Sequence, residues 1–122
     1  MKRFVTWEEV EQFVDGVCER YKGKISGVYA IPRGGLILGT IISNRLNVPL
    51  LLGAAKGCLV LDDICDTGES LIHYVKNSSG NQEGYLTATM FYKANRLGIK
   101  PDFYMFTKSE DWIVFPWEEK ED

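Results

Sequence analysis

Residues 59–71 read Leu59-Val60-Leu61-Asp62-Asp63-Ile64-Cys65-Asp66-Thr67-Gly68-Glu69-Ser70-Leu71. The apolar run that leads into this stretch, from Cys58 to Leu61, is typical of a buried strand. That strand would deliver two adjacent acids, Asp62 and Asp63, at its carboxyl end, which is where open α/β sheets bind ligands. The stretch therefore predicts a ligand site at the edge of a sheet.

The residues that follow the two acids predict an anion-binding turn. Residues 66–70 form a compact segment that we expect to open a helix, where backbone N–H groups lack helical partners. Thr67 and Ser70 add hydroxyl donors, and Gly68 lets the backbone close around a phosphate. Carboxylates accept hydrogen bonds from ribose hydroxyls and hold Mg²⁺. A phosphorylated, metal-bound ribose would therefore satisfy every part of the stretch.

The segment resembles the phosphoribosyl pyrophosphate (PRPP) signature of type I phosphoribosyltransferases: an apolar strand, two acids, two residues, then Asp-Thr-Gly-x-Ser/Thr. The alternative, a strand followed by a capped helix, would not require three aspartates in five residues. The resemblance implies an α/β fold with a mostly parallel open sheet flanked by helices, similar to a Rossmann fold. It also implies Mg²⁺ on Asp63 and proton transfer near purine N7 by Asp66. The PRPP-binding residues that it implies here are Asp62, Asp63, Asp66, Thr67, Gly68, Glu69 and Ser70.

Length and composition are those of an ordinary globular protein. The chain has 122 residues, of which 45% are hydrophobic and 25% charged, so we expect one domain over residues 1–122. The net charge of −3 gives no general electrostatic case for nucleic acid or an anionic membrane as partner. No apolar run approaches the roughly 20 residues that span a bilayer. Three cysteines without metal-site spacing indicate reduced thiols, so we expect a cytoplasmic protein.

Two helices and a second turn are predicted before the signature. Thr6-Trp7-Glu8-Glu9 is a capping box that starts a helix from about Thr6 to Tyr21. A strand from Ile25 to Ile31 leads to Pro32-Arg33-Gly34-Gly35, and an apolar helix follows from Leu36 to Leu46. In the resembled family this turn is the pyrophosphate loop, in which the bond corresponding to Arg33–Gly34 can be cis. The resemblance implies that Arg33 and Gly34 bind the pyrophosphate and that Arg33 is catalytic; an ordinary Gly-rich turn remains the alternative.

The largest departure from the family follows the next strand, Val48 to Leu52. Only Gly53-Ala54-Ala55-Lys56-Gly57 separates it from the signature strand, where the resembled enzymes carry a long mobile hood. Such a hood excludes water and supplies donors to the pyrophosphate. Its near-absence favours an alternative in which the protein binds PRPP or a nucleotide as a weak or inactive regulator.

The last third of the chain carries residues typical of a purine site. After Leu71 we expect a helix to about Lys76, a polar loop over residues 77–84, and strands at Tyr85–Tyr92 and Phe103–Phe106. Phe91-Tyr92-Lys93 is similar to the segment that places a lysine against the exocyclic oxygen of a 6-oxopurine in purine phosphoribosyltransferases. Asp111-Trp112-Ile113 resembles the segment in xanthine–guanine and hypoxanthine–guanine enzymes whose Trp stacks on the base. The resemblance thus implies base contacts by Lys93, Trp112 and the carbonyl of Ile113.

Together these patterns predict a purine phosphoribosyltransferase that transfers phosphoribosyl from PRPP to a 6-oxopurine and releases pyrophosphate. The expected partners are PRPP, a purine base and Mg²⁺, in a dimer or higher homo-oligomer. An unrelated Mg²⁺-dependent phosphotransfer module, such as a receiver-like domain, is a further alternative. Its acids normally come from separate strand ends, however, and no Asp-Thr-Gly turn follows them.

Overall fold

A computed structural model describes residues 1–75 and 85–118 of the chain. The helices are α1 (Trp7–Tyr21) and α2 (Leu36–Leu46). The strands are β1 (Lys2–Phe4), β2 (Val28–Ala30), β3 (Leu50–Leu51), β4 (Leu59–Cys65), β5 (Leu86–Tyr92), β6 (Phe103–Thr107) and β7 (Trp112–Val114). The two helices predicted before the signature are confirmed, and the predicted strands are present with changed ends.

Five parallel strands form the central sheet in the order β3-β2-β4-β5-β6. β4 lies in the middle of this order, so its acidic end is paired with β5 on one side and, beyond the last β2 pair at Leu61, lies against the turn of residues 32–35 on the other. The signature strand is longer than predicted, since it continues through Asp62 and Asp63 to Cys65 instead of stopping at Leu61. The reason is that its pairing with β5 continues past the acids, from Asp62↔Thr89 to Cys65↔Tyr92.

Both described helices pack on one face of this sheet. The Thr6 side chain accepts the Glu9 N–H at 3.1 Å, and Glu9 accepts the Thr6 N–H at 3.1 Å, so the predicted capping box is formed. Phe13, Val14 and Val17 of α1 are buried in the same core as Leu59 and Leu61 of β4. The opposite face is covered by a second cluster that includes Val60, Leu71 and Ile99.

The helix predicted from Leu71 to about Lys76 is not observed in its described part. Residues 66–75 form turns, in which Ile72 donates to the Gly68 carbonyl at 2.9 Å and Tyr74 donates to the Leu71 carbonyl at 2.9 Å. The shift from an i→i+4 to an i→i+3 bond ends the first turn before a helix is established. Lys76 and the loop predicted over 77–84 lie outside the described residues.

A two-stranded parallel sheet joins the two ends of the described chain. β1 pairs with β7 in the register Lys2↔Trp112, Arg3↔Ile113 and Phe4↔Val114. No sequence pattern predicts β1, because a three-residue strand is too short for a hydrophobic period. No helix in the described ranges is long and apolar enough to cross a membrane.

Candidate active site

The centre of the candidate site is the pair of adjacent carboxylates in β4. Asp62 is only 7% exposed, and its carboxylate accepts the Asp63 N–H at 2.8 Å. The Asp63 carboxylate accepts the Ile64 N–H at 2.8 Å and lies against Gly34. Burial, together with the neighbouring Asp63 charge, raises the pKa of Asp62 to about 8, and burial also raises the pKa of Asp63. Ionisation of both carboxylates is therefore unfavourable unless a cation compensates their charge.

The glycine-rich turn before α2 packs directly on this strand. A Cβ on Gly34 would lie 2.5 Å from either Asp63 carboxylate oxygen, and one on Gly35 would lie 2.6 Å from the Leu61 carbonyl oxygen. Only residues without a Cβ allow this approach. The cis bond is Pro32–Arg33, one bond earlier than the position expected from the resemblance. Arg33 is exposed at the mouth of the turn, so its side chain has access to a ligand.

The turn from Asp66 to Ser70 encloses a small cavity beyond the end of β4. The cavity has a volume of about 120 Å³ and is lined by Ile64, Cys65, Asp66, Thr67, Gly68, Ser70 and Leu71. Gly68 has φ +88°, and a Cβ there would meet Ile99 at 2.7 Å. Since residues 66–75 form no helix, an anion here would be bound by turn amides and hydroxyls without a helix dipole.

A larger cavity of about 650 Å³ opens beside this turn. Its lining is Asp66, Thr67, Glu69, Lys93, Ala94, Asn95, Arg96 and Leu97. Asn95 fixes the loop after β5, because its amide N–H₂ donates to the carbonyls of Lys93 and Ile99 and its oxygen accepts the Ile99 N–H. Sequence reasoning missed Asn95, although an asparagine after a strand is an ordinary loop signal.

Charged side chains meet where the central strands end. Lys93 contacts Glu110 at 2.6 Å and lies 4.0 Å from Asp66, and Lys108 contacts Asp66 at 3.1 Å. Neither Lys108 nor Glu110 was predicted as a site residue. The available signal was position, since Lys108 follows the end of β6 as Lys93 follows the end of β5.

The predicted base-binding residues do not all meet in one cavity. Among the described residues that line the 650 Å³ cavity, Lys93 is present, whereas Trp112 and Ile113 are not. Trp112 is 71% exposed on β7, and Ile113 is buried against the core. The Trp112 N–H donates to the Met1 carbonyl at 2.9 Å, so β1 holds this segment. The Trp112 side chain is therefore largely accessible to a ligand.

Comparison with known proteins supports the resemblance seen in the sequence. No family model matches the chain. It is 24% identical to a xanthine-guanine phosphoribosyltransferase of Idiomarina loihiensis, over 94% of this chain and 86% of that protein. It is 26% identical to one of Nitratidesulfovibrio vulgaris, over 93% of this chain and 83% of that protein.

Solved structures give the same result. A purine phosphoribosyltransferase from Pyrococcus horikoshii superimposes with a TM-score of 0.79 and 27% identity, over 99% of this chain and 97% of that one. The Helicobacter pylori xanthine-guanine-hypoxanthine phosphoribosyltransferase gives a TM-score of 0.73 and 22% identity, over 97% and 94% of the two chains. The protein therefore has the type I phosphoribosyltransferase fold and is related to the xanthine–guanine phosphoribosyltransferases.

Proposed function

We propose that the protein is a purine phosphoribosyltransferase, which transfers phosphoribosyl from PRPP to a 6-oxopurine and releases pyrophosphate. The observation that carries the proposal is one juxtaposition. Asp66 and Lys93 line the same 650 Å³ cavity, which opens beside the turn of residues 66–70 at the carboxyl end of β4. A phosphate site and a base site would then share Asp66.

The ribose-phosphate half of PRPP fits β4 and its turn. The turn from Asp66 to Ser70 would bind the 5′-phosphate through its amides and the Thr67 and Ser70 hydroxyls. Glu69, which is exposed on the same turn, lies within the proposed PRPP site. Asp62 and Asp63 would accept hydrogen bonds from the ribose hydroxyls.

The acidic pair also fits a divalent cation. Asp62 and Asp63 are adjacent oxygen donors with raised pKa values, as expected for carboxylates that lack a counter-charge. Asp63 would hold Mg²⁺, a hard cation that prefers oxygen ligands. When bound, Mg²⁺ supplies charge neutralisation for the departing pyrophosphate.

The pyrophosphate would lie against the turn at Arg33 and Gly34. The Arg33 guanidinium is suited to paired contacts with phosphate oxygens. Because the pyrophosphate gains negative charge as it leaves, Arg33 would stabilise the transition state more than the bound substrate. Gly34 keeps this turn close enough to Asp63 for the two to act on one ligand.

The purine would be recognised from two sides. The Lys93 ammonium would donate to the 6-oxo group, which selects against the amino group of adenine. Trp112 would stack on the ring, and the Ile113 carbonyl would accept from a 2-amino group. Asp66 would lie near N7 and take or return its proton during transfer.

One observation favours the alternative of a regulatory protein that binds PRPP or a nucleotide with little turnover. Only residues 52–58 connect β3 to β4, so the chain supplies no long segment there to cover the site. The receiver-like alternative is not favoured, because both acids lie on one strand and the fold resembles the phosphoribosyltransferases.

A pyrophosphate-release assay tests the proposal. Guanine, hypoxanthine and xanthine are each supplied with PRPP and Mg²⁺, and adenine serves as the base that Lys93 should reject. Release with at least one oxopurine and nucleotide formation are expected. PRPP binding by calorimetry without any release would favour the regulator instead. Lys93→Met should abolish the preference for oxopurines, whereas Lys100→Met, on the same loop, should not.

We further propose that the protein is cytoplasmic, forms a homo-oligomer and carries its site within one domain, residues 1–122. Association between copies is supported by exposed apolar side chains on α2, on β3 and just after β3: Leu36, Ile37, Leu50 and Leu52. Light scattering of the purified protein tests the oligomer, and cell fractionation tests the location.

A further inference from the structure

Three neighbouring strands place a charged residue at the same level of the sheet. The last paired residues are Cys65↔Tyr92 between β4 and β5, and Tyr92↔Thr107 between β5 and β6. The residue that follows each strand is charged: Asp66 after β4, Lys93 after β5 and Lys108 after β6. Two backbone bonds hold this row, from Lys93 N–H to the Cys65 carbonyl at 2.9 Å and from Lys108 N–H to the Tyr92 carbonyl at 2.8 Å.

The pairing of charges does not follow the order of the strands. Lys93 is the nearer lysine along the row, yet its ammonium lies 4.0 Å from Asp66 and makes two contacts with Glu110, at 2.6 and 2.7 Å. Lys108, from the more distant strand, reaches the other Asp66 oxygen at 3.1 Å. Asp66 is thus held by Lys108, and Lys93 by Glu110.

The two ion pairs differ in accessibility. The Lys108 side chain is 11% exposed, whereas the Glu110 side chain is 80% exposed. A contact to a largely exposed carboxylate is weak and exchanges readily, and one from a mostly buried lysine is more persistent. A substrate oxygen could therefore replace Glu110 on Lys93 without disturbing Asp66.

We infer that Lys108 is a positioning residue of this site: it holds the Asp66 carboxylate and so leaves Lys93 available to the purine. The inference rests on the proposed function for the roles of Asp66 and Lys93. Without Lys108, the Lys93 ammonium would be the nearest cation to Asp66 and would turn toward it. Proton transfer at N7 and recognition of the 6-oxo group would then be impaired together.

The kinetic test compares Lys108→Met, Lys108→Arg and a control lysine, Lys24→Met, which is exposed between α1 and β2. In K108M we expect kcat/KM for guanine to fall about 10- to 100-fold, as for a displaced reacting group. KM for PRPP should stay within about twofold of the wild type, and K108R should recover most of the loss. Equal losses for both substrates, without recovery in K108R, would indicate general damage and overturn the inference.

A crystal structure of K108M gives a readout that does not need activity. The Lys93 ammonium should leave Glu110 and lie about 3 Å from Asp66, the distance of a charged hydrogen bond. If Asp66 and Lys93 keep their wild-type partners, Lys108 does not position them and the inference is wrong. If the wild type transfers no phosphoribosyl group but Lys93 moves in K108M, the proposed function fails while the hold of Lys108 on Asp66 is established.

Discussion

Asp62 and Asp63 couple the stability of the protein to pH. Their pKa values are raised in the folded state, to about 8 for Asp62 against an ordinary value of 3.8. A group whose pKa is raised on folding contributes its full stabilisation below the unfolded-state pKa. This stabilisation is lost as the pH rises through the folded-state pKa. The free energy of unfolding of the metal-free protein should therefore fall between about pH 4 and pH 8.

Asp62→Asn should remove much of this dependence. Relative to the wild type, the free energy of unfolding of D62N should rise by about 1–3 kcal/mol between pH 4 and pH 8.5, since one pKa unit corresponds to about 1.4 kcal/mol. Urea denaturation with a chelator present measures it. Asp15→Asn, at an exposed carboxylate on α1, is the control and should follow the wild-type pH curve. Parallel curves for D62N and the wild type would contradict the assigned burial of this charge.

Gly35 makes a second prediction about a single residue. Its Cβ would lie 2.6 Å from the Leu61 carbonyl oxygen, a backbone atom that cannot turn away. Gly35→Ala should destabilise the protein by about 1–3 kcal/mol, the usual cost of overpacking. Gly53→Ala is the matched control, because nothing lies within 4 Å of a Cβ there. Thermal unfolding compares the two, and equal melting temperatures would show that the turn and β4 are not in close contact.

Among the elements, β1 is the one that links the first residues to the proposed purine-binding segment of β7. Arg3 pairs with Glu9 at 2.7 Å and lies over the rings of Phe91 and Phe106, at 4.9 and 5.3 Å. These contacts fix β1 on the core, and β1 in turn holds Trp112 through Met1. The position of the proposed stacking ring therefore depends on the first three residues.

Arg3→Met should loosen β1 and weaken purine binding. We expect a loss of about 1 kcal/mol in stability, since the ion pair is partly exposed and each cation–π contact is modest. KM for guanine should rise several-fold while KM for PRPP stays unchanged. Arg20→Met is the control, because Arg20 also lies over two rings, Tyr21 and Phe103, but does not contact β1. A rise in both KM values, or the same rise in R20M, would contradict this role for β1.

The helices and strands that the sequence predicts well have a strong local cause. The α1 capping box and the apolar run of α2 fix both helices, and the confirmed bounds of α2 are Leu36–Leu46. The predicted end of β4 was wrong because a hydrophobic pattern stops at the first acid. In the structure, pairing with β5 continues through Asp62 and Asp63. The pairing of β1 with β7 was missed because it joins residues more than 100 positions apart and has no local signal.

At the scale of the whole molecule, the parallel order of the sheet explains how distant residues form one site. The positions of the two acids, the turn of residues 66–70 and Lys93 at one edge of the sheet could be predicted, because each lies near the carboxyl end of a recognisable strand. Lys108 and Glu110 could not, since only the folded structure shows that Lys108 lies beside Asp66 and Glu110 beside Lys93.

Ligand binding links these parts into one thermodynamic prediction. A ligand that binds only the folded protein stabilises it by about 2.7 kcal/mol at 100 times its Kd. For a chain of this length, that corresponds to a rise in Tm of about 10 °C. PRPP with Mg²⁺ should produce a rise of this size, and a chelator should remove most of it, because the Asp62–Asp63 pair would again lack a counter-charge.

In Gly68→Ala the rise should be small even with Mg²⁺, since the new Cβ would meet Ile99 at 2.7 Å and displace the turn of residues 66–70. Gly53→Ala should respond like the wild type. An undiminished response in G68A would place the 5′-phosphate elsewhere on the protein, and a chelator-insensitive rise would remove Mg²⁺ from the proposed site.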